Sequence, residues 1–435
     1  MMLFMPIIYF ILTCITSFYF FPFAFSFMPT VNTKMMLAVI GLVICIVRMV
    51  RSRSGDISRY FFFLSLLALL VSFVSLASAF INNTNDFTYA TYIMSMWVWL
   101  GGAYAVVSLI RFVHKSLDIV LISNYLIAAC VLQCILALAI DNSPAFSAFV
   151  NRMVADLGFI EMDRLSESGR LYGIGCSLDV AGSRFAAVLL ILSFVCCSVS
   201  KRPSRRYLWV YYIAFGFICV IGNMIGRTTT VGAAIALFVF LIWGFWGAED
   251  RRSWYGQMAV VFFFVVSVAS ILYSTNFHFR SNLRFAFEGF FSLAEKGYWE
   301  TNSNTILQNM VVFPKTIHTW IIGDGYMLNP YWVDGNYVGP NYGGGFYMGT
   351  DIGYLRFIFY FGVIGLMSFI CFFVSVVVVL AKRCKGFRWM FCLLLALNLI
   401  IWVKVSTDLF PVFAVYLSAC LCDGAMDEFQ VNQVI

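Results

Sequence analysis

Hydrophobic residues in this chain fall in long unbroken runs parted by polar stretches, and they do not alternate. Twelve runs can be drawn, at residues 4–22, 35–50, 60–81, 91–110, 118–140, 181–200, 207–226, 228–247, 257–275, 351–380, 389–405 and 408–422. Most are about twenty residues long. A helix rising ~1.5 Å per residue needs that length to cross ~30 Å of hydrocarbon. A β-barrel does not fit, because its strands are only ~10 residues long and alternate apolar with polar. The expected fold is an all-α polytopic membrane protein, residues 1–435 forming a single integral membrane domain with about twelve transmembrane helices. Composition points the same way. The chain is 62% hydrophobic and 11% charged, with a mean hydropathy of +0.89, against roughly 25% charged in soluble domains. So few charges cannot cover a water-exposed surface or keep a chain disordered.

The polar stretches sort by charge. Short loops after every second run carry Arg48, Arg51, Arg53 and Arg59; Arg111 and Lys115; Lys201, Arg202, Arg205 and Arg206; Arg251 and Arg252; and Lys382, Arg383, Lys385 and Arg388. These are 16 of the 28 basic residues, and the positive-inside rule places the loops, with both termini, in the cytoplasm. The opposite side then carries two long extracytoplasmic loops, 141–180 and 276–350. The second has 75 residues, including ten glycines, eight asparagines, six tyrosines and three tryptophans. That is too long for a connector and too poor in aliphatics for a core of its own. It is expected to form short helices ordered against the membrane domain. Aromatic faces with amide donors suit a carbohydrate-lined cavity; a glycine-rich loop with interfacial aromatics fits the same composition.

The first run lacks a basic leader and an A-x-A cleavage site, and reads as a retained helix. Nearly all of the 13 cysteines lie within apolar runs, so no disulfide framework is expected. With three histidines and no CxxC, a structural zinc site has no ligands. No cofactor and no nucleic-acid partner are expected.

Six arginines flank apolar runs on the extracytoplasmic side: Arg170, Arg184, Arg227, Arg280, Arg284 and Arg356. Arg227 is the only charge in the 41 residues from Tyr207 to Gly247, twenty from either end. Gly226-Arg227-Thr228 is therefore predicted as the tip of a helical hairpin. An arginine there can snorkel to lipid phosphate. Several converging guanidiniums can instead grip a diphosphate, since their planar donor forks match phosphate oxygens and stay charged at any relevant pH. They would also stabilise the charge of a departing diphosphate in a partly dry site. Asp351, Lys404 and Asp408 also sit at the outer ends of runs. Lys404 and Asp408, four apart, fit an ion pair; Thr350 and Asp351 open a run and fit a helix cap.

Three stretches carry a resemblance. Gly169-Arg170-Leu171-Tyr172-Gly173, followed by an apolar run, resembles the R-x-x-G segment of the superfamily of Wzy-type O-antigen polymerases and O-antigen ligases. Gly226-Arg227 resembles its S-R pair, with glycine in place of serine. Thr350-Asp351-Ile352-Gly353-Tyr354-Leu355-Arg356, then Phe361-Gly362-Val363-Ile364-Gly365-Leu366, resembles the D-x-G-Y-L-R … G-I-I-G-L segment of the polymerases, and Ile322-Gly323-Asp324-Gly325 their upstream L-G-x-G turn. The matches span about 170–366, under half of the chain.

The resemblance implies a GT-C-like glycosyltransferase of the bacterial inner membrane, working on its periplasmic side without metal or cofactor. Such a polymerase joins undecaprenyl-diphosphate-linked repeat units into a surface polysaccharide. Membrane lipids, a chain-length regulator and a flippase are the implied partners. Ligases carry an H-N-x-x-L histidine near the place of Asp351. None stands there, which favours a polymerase, although His318 lies 33 residues earlier. On this reading Arg170 and Arg227 are catalytic. Arg184, Arg280, Arg284 and Arg356 bind the diphosphate, and the base comes from Asp351, His318, Asp324 or Glu288. The alternatives are an O-antigen ligase and a lipid-linked oligosaccharide flippase. A transporter commonly shows internal repeats, and this sequence shows none.

Overall fold

The computed structural model describes residues 5–52, 59–155, 170–200, 207–247, 251–335, 337–342 and 345–422. Gly169 and the basic residues Arg53, Lys201, Arg202, Arg205 and Arg206 lie outside the described residues, as do the side chains of Arg51 and Cys422. In chain order the helices are α1 (Met5–Phe20), α2 (Thr33–Ser52), α3 (Arg59–Asn82), α4 (Tyr92–His114), α5 (Ile119–Asn142), α6 (Pro144–Met153), α7 (Leu178–Val199), α8 (Leu208–Ile225), α9 (Thr229–Trp246), α10 (Arg251–Thr275), α11 (Phe277–Ala286), α12 (Glu288–Lys296), α13 (Asn302–Asn309), α14 (Ile317–Ile321), α15 (Pro330–Val333), α16 (Gly353–Arg383), α17 (Arg388–Ile401) and α18 (Phe410–Cys422). Two short antiparallel strands, Ala24–Phe25 and Met28–Asn32, follow α1.

Every apolar run of the sequence lies over one helix. Among the described residues eight helices are long and apolar enough to cross a membrane: α3, α4, α5, α7, α8, α9, α10 and α16. The protein is a helical, multi-pass membrane protein. α1 and α18 are apolar but shorter. The long polar segment forms the short helices α11–α15.

The chain divides into two compact units. The first comprises Met1–Cys45, Gly101–Gly297 and Ala414–Ile435. Its centre is α7, buried at every position from Ala181 to Ser193. A helix apolar on all faces belongs inside a bundle. The two serines in that stretch return their hydroxyls to carbonyls of their own helix, Ser183 to Asp179 and Ser193 to Leu190, both at 2.7 Å. Small residues let neighbouring helices come close, as in other membrane bundles. Gly232 of α9 lies against the backbone of Ala186. Gly226, between α8 and α9, lies against Gly182: a Cβ at 226 would sit 2.5 Å from the Leu178 carbonyl oxygen and 3.0 Å from the Gly182 Cα. This contact explains the glycine where the resembling motif has serine. Gly226→Ser is expected to lower the thermal midpoint, by overpacking worth about 1–3 kcal/mol. Thermal unfolding in detergent micelles checks this, and an unchanged midpoint would show the contact to be slack.

The second unit comprises Ile46–Leu100 and Tyr298–Phe413. Its long helix α16 packs along α3 and is broken at Phe361 and Gly362, where Gly362 takes φ +67°. The break frees the carbonyls of Phe359 and Tyr360. The Asp324 and Gly325 N–H groups bond to them, at 2.6 and 3.2 Å, and the Ser78 hydroxyl also reaches Tyr360 O. Gly323 takes φ +88° in that turn, and a Cβ there would lie 2.7 Å from the Tyr360 carbonyl. The 322–325 turn thus docks on the break in the helix that follows it. Phe357, Phe369 and Phe373 of this helix pack on Trp402 as one aromatic cluster.

Candidate functional site

The hairpin tip forms as the sequence predicts: α8 ends at Ile225, α9 begins at Thr229, and Arg227 stands at the turn. Thr228 ties the turn to the start of α7 by donating to Asp179 Oδ1 at 2.8 Å. Thr230 donates to Asn223 Oδ1 at 2.6 Å, closing the tip.

Arg170 arrives from a separate loop, and the reason is a buried amide. Gln133, 2% exposed in the middle of α5, bonds both backbone groups of Ile174: its Oε1 accepts from Ile174 N and its Nε2 donates to Ile174 O, each at 3.0 Å. It also donates to Ser17 Oγ at 2.8 Å. Leu171 N bonds to Met224 O at 3.2 Å, which lays the loop against the end of α8.

Both guanidiniums meet one ring. The Arg227 Cζ lies 3.9 Å, and the Arg170 Cζ 4.7 Å, from the centroid of Phe285. Arg227 Nη1 pairs with Glu288 Oε2 at 2.5 Å, the two side chains being 17% and 33% exposed. Burial lowers the pKa of Arg170 from its usual value; Asp179 opposes the shift and the charge of Arg227 adds to it. The Arg170 Nε is buried and has no hydrogen-bond partner among the described residues. Two guanidiniums thus share one ring, with the carboxylate of Glu288 on Arg227 and the charge of Asp179 acting on Arg170, and charges grouped in this way recur where an anion is handled.

Gln133→Leu is expected to release the 170–177 loop from α5 and move Arg170 off Phe285. Limited proteolysis of the purified protein should then cut near 170–177 several-fold faster than in the native protein, while an unchanged cleavage rate would mean that the amide does not hold the loop.

The other candidate arginines sit elsewhere. Arg184, 7% exposed on α7, donates through Nη1 to the Phe20 carbonyl, so it satisfies the C-terminal end of α1. Arg280 does the same for α10, through Tyr273 O at 2.8 Å and Ser274 O at 3.1 Å. Arg284 Nη2 donates to both carboxylate oxygens of Glu295, at 2.8 and 2.9 Å, and its Nη1 donates to the Tyr273 hydroxyl at 3.2 Å.

In the second unit Arg356 lies 4.0 Å from the centroid of Phe346, pairs with Asp351 at 3.2 Å and donates to Met327 O at 3.4 Å. Asp351 therefore serves Arg356, whereas the helix behind it begins without a side-chain cap. Asp324 accepts from Thr319 Oγ1 at 2.7 Å and from the Tyr347 hydroxyl at 3.2 Å. His318 is exposed on α14. Tyr326, Tyr331, Tyr337, Tyr342 and Tyr347 gather ring to ring, with centroids 5.2–5.6 Å apart. Asp334 accepts from Tyr326 at 2.8 Å and from Asn85 at 3.1 Å. Burial, then Asp334, raises the Tyr326 pKa, so the phenol stays a neutral donor.

Sequence reasoning missed Asp179, Gln133 and Asp86. Asp86 is 1% exposed. Its Oδ2 accepts from Met327 N and Leu328 N at 2.8 and 3.0 Å, and its Oδ1 from Thr88 N and Oγ1 at 3.1 and 2.5 Å. The amide of Gln133 in an apolar run and the polar cluster Asn82-Asn83-Thr84-Asn85 before Asp86 were the available signals. Among the described residues no group of His, Cys, Asp or Glu is placed to hold a metal ion.

No protein-family model matches this chain, and no curated protein or solved structure matches it either. The functional reading therefore rests on the geometry above and on the motif resemblance.

Proposed function

We propose that the protein is a polymerase that joins undecaprenyl-diphosphate-linked oligosaccharide repeat units into a surface polysaccharide. On this reading it spans the bacterial inner membrane twelve times, with both termini cytoplasmic and the arginine pair facing the periplasm. The observation that carries the reading is the meeting of Arg170 and Arg227 on Phe285.

The chemistry asks little else of the protein. A hydroxyl of the acceptor sugar attacks the anomeric carbon of the donor glycan, the bond from that carbon to the diphosphate oxygen breaks, and the lipid diphosphate leaves with the bonding pair. Negative charge grows on the leaving oxygen as the bond opens, and fixed guanidiniums stabilise that charge more than they stabilise the bound donor. The hydroxyl proton passes to a general base. The second unit, taken by itself, offers ring faces and polar groups to sugars at the tyrosine cluster with Asp324, Asp334 and Asn329.

The test is turnover by the purified protein in liposomes, supplied with one lipid-linked repeat unit. Products of two, three and more repeats are expected. Movement of the unit across the bilayer without lengthening would make the protein a flippase, and transfer to lipid A-core alone would make it a ligase.

A further inference from the structure

An apolar groove of about 930 Å³ lies in the first unit and reaches Phe287, the residue before the Glu288 that pairs with Arg227; it is at the upper end of the size range of ligand sites. Its floor is formed by α8, α9 and α10, from Tyr212, Phe240 and Met258 at one end to Tyr273 at the other. From Met258 to Tyr273 is fifteen residues of helix, or ~22 Å at ~1.5 Å per residue, most of the thickness of a bilayer core. The roof at the Tyr273 end comes from the short helices α11 and α12, through Leu283, Phe287 and Phe291. Arg284 donates to the Tyr273 hydroxyl there. The next residue after Phe287 is Glu288, whose carboxylate lies on Arg227. One short segment therefore does two things: it roofs the groove and seats a carboxylate where an anion would bind.

A carboxylate on a guanidinium fork has the geometry of a phosphate oxygen pair. Arg170 and Arg227 on one side and Asp179 and Glu288 on the other balance in charge, so a second anion entering must displace one of the carboxylates. Asp179 is bound into the fold by Thr228 at the head of α7, whereas Glu288 is the first residue of a nine-residue helix on the groove's roof. Glu288 is the one that can leave.

We propose that the first turn of α12 is a lid and Glu288 an internal competitor: a long-chain lipid bearing a diphosphate enters the groove chain-first, lifts the roof at Phe287 and Phe291, and exchanges its phosphate for the Glu288 carboxylate on Arg227. An amphiphile thus opens the anion seat, while a small anion without a chain has to compete with Glu288 directly. The proposal rests on the function above only for the choice of diphosphate lipid.

Binding to the full-length protein in nanodiscs tests it, with radiolabelled undecaprenyl diphosphate and inorganic diphosphate as separate probes. Glu288→Gln should tighten inorganic diphosphate about tenfold and the lipid by less, since the lipid's chain already aids the exchange. Val266→Trp, which fills the groove away from the arginines, should weaken the lipid at least tenfold and leave inorganic diphosphate unchanged. Glu295→Gln, which breaks only the exposed pair with Arg284, should change neither by more than twofold. Equal affinities for native protein and Glu288→Gln, or undiminished lipid binding by Val266→Trp, would overturn the proposal. So would failure of native protein to bind either probe. Chain growth is measured separately: lipid binding that follows this pattern without chain growth would reject the polymerase and keep the lid.

Discussion

Arg227→Ala and Arg170→Ala should each leave the protein in the membrane at normal abundance and abolish long glycan chains, so that cells accumulate single-repeat products. Loss of one preorganised donor to a developing anion commonly lowers a rate by about 10²–10³. Arg227 loses more than charge when replaced. Its Nη1 bonds Glu288 while its guanidinium lies over Phe285, and lysine, a compact ammonium, reproduces the charge without the planar group that rests on the ring. Arg227→Lys is therefore expected to fall between native and alanine. Because both guanidiniums lie on one ring, the double alanine variant should cost less than the product of the two single losses. Gel ladders of the polysaccharide read all four variants. Normal ladders in Arg227→Ala and Arg227→Lys would end the phosphate-clamp account.

Asp86→Ala should be the most damaging substitution for stability in the second unit. Four donors converge on that carboxylate, and alanine leaves two of them, the N–H groups of Met327 and Leu328, facing an empty site. A buried polar group left without a partner costs about 1–3 kcal/mol, and the loss of several bonds to an ionised acceptor adds to it. The turn that carries Asp324 and Tyr326 immediately precedes Met327, so the loosening reaches the tyrosine cluster as well. Asp86→Asn keeps the shape and part of the accepting capacity and should fall between. Thermal unfolding in detergent, with hydrogen exchange over 322–330, distinguishes the two; an Asp86→Ala protein as stable and as protected as native would show that the carboxylate is dispensable.

The long helices were legible because each is an apolar run, which burial in lipid or bundle demands along the helix. Arg227 was legible for the opposite reason: one charge in 41 apolar residues has to stand at a turn. What stayed hidden depends on contacts made at long range. Phe285 lies 115 residues from Arg170 in sequence, and no local pattern marks it as the ring on which two arginines meet. Arg184 and Arg280 look in sequence like Arg170, yet each ends on the open carbonyls of a neighbouring helix. The sequence reveals that a guanidinium flanks a helix but not which acceptor it finds. Gly226 looked like a departure from a motif until its distance to Gly182 gave the reason.

The arginine pair as a seat for a lipid diphosphate is tested most directly by cryo-electron microscopy of the protein with undecaprenyl diphosphate in nanodiscs. The account predicts two phosphate peaks beside Phe285, within hydrogen-bonding reach of both Arg170 and Arg227, with Glu288 turned away. Lipid density whose phosphates lie on other side chains, with the Arg227–Glu288 pair intact, would contradict it.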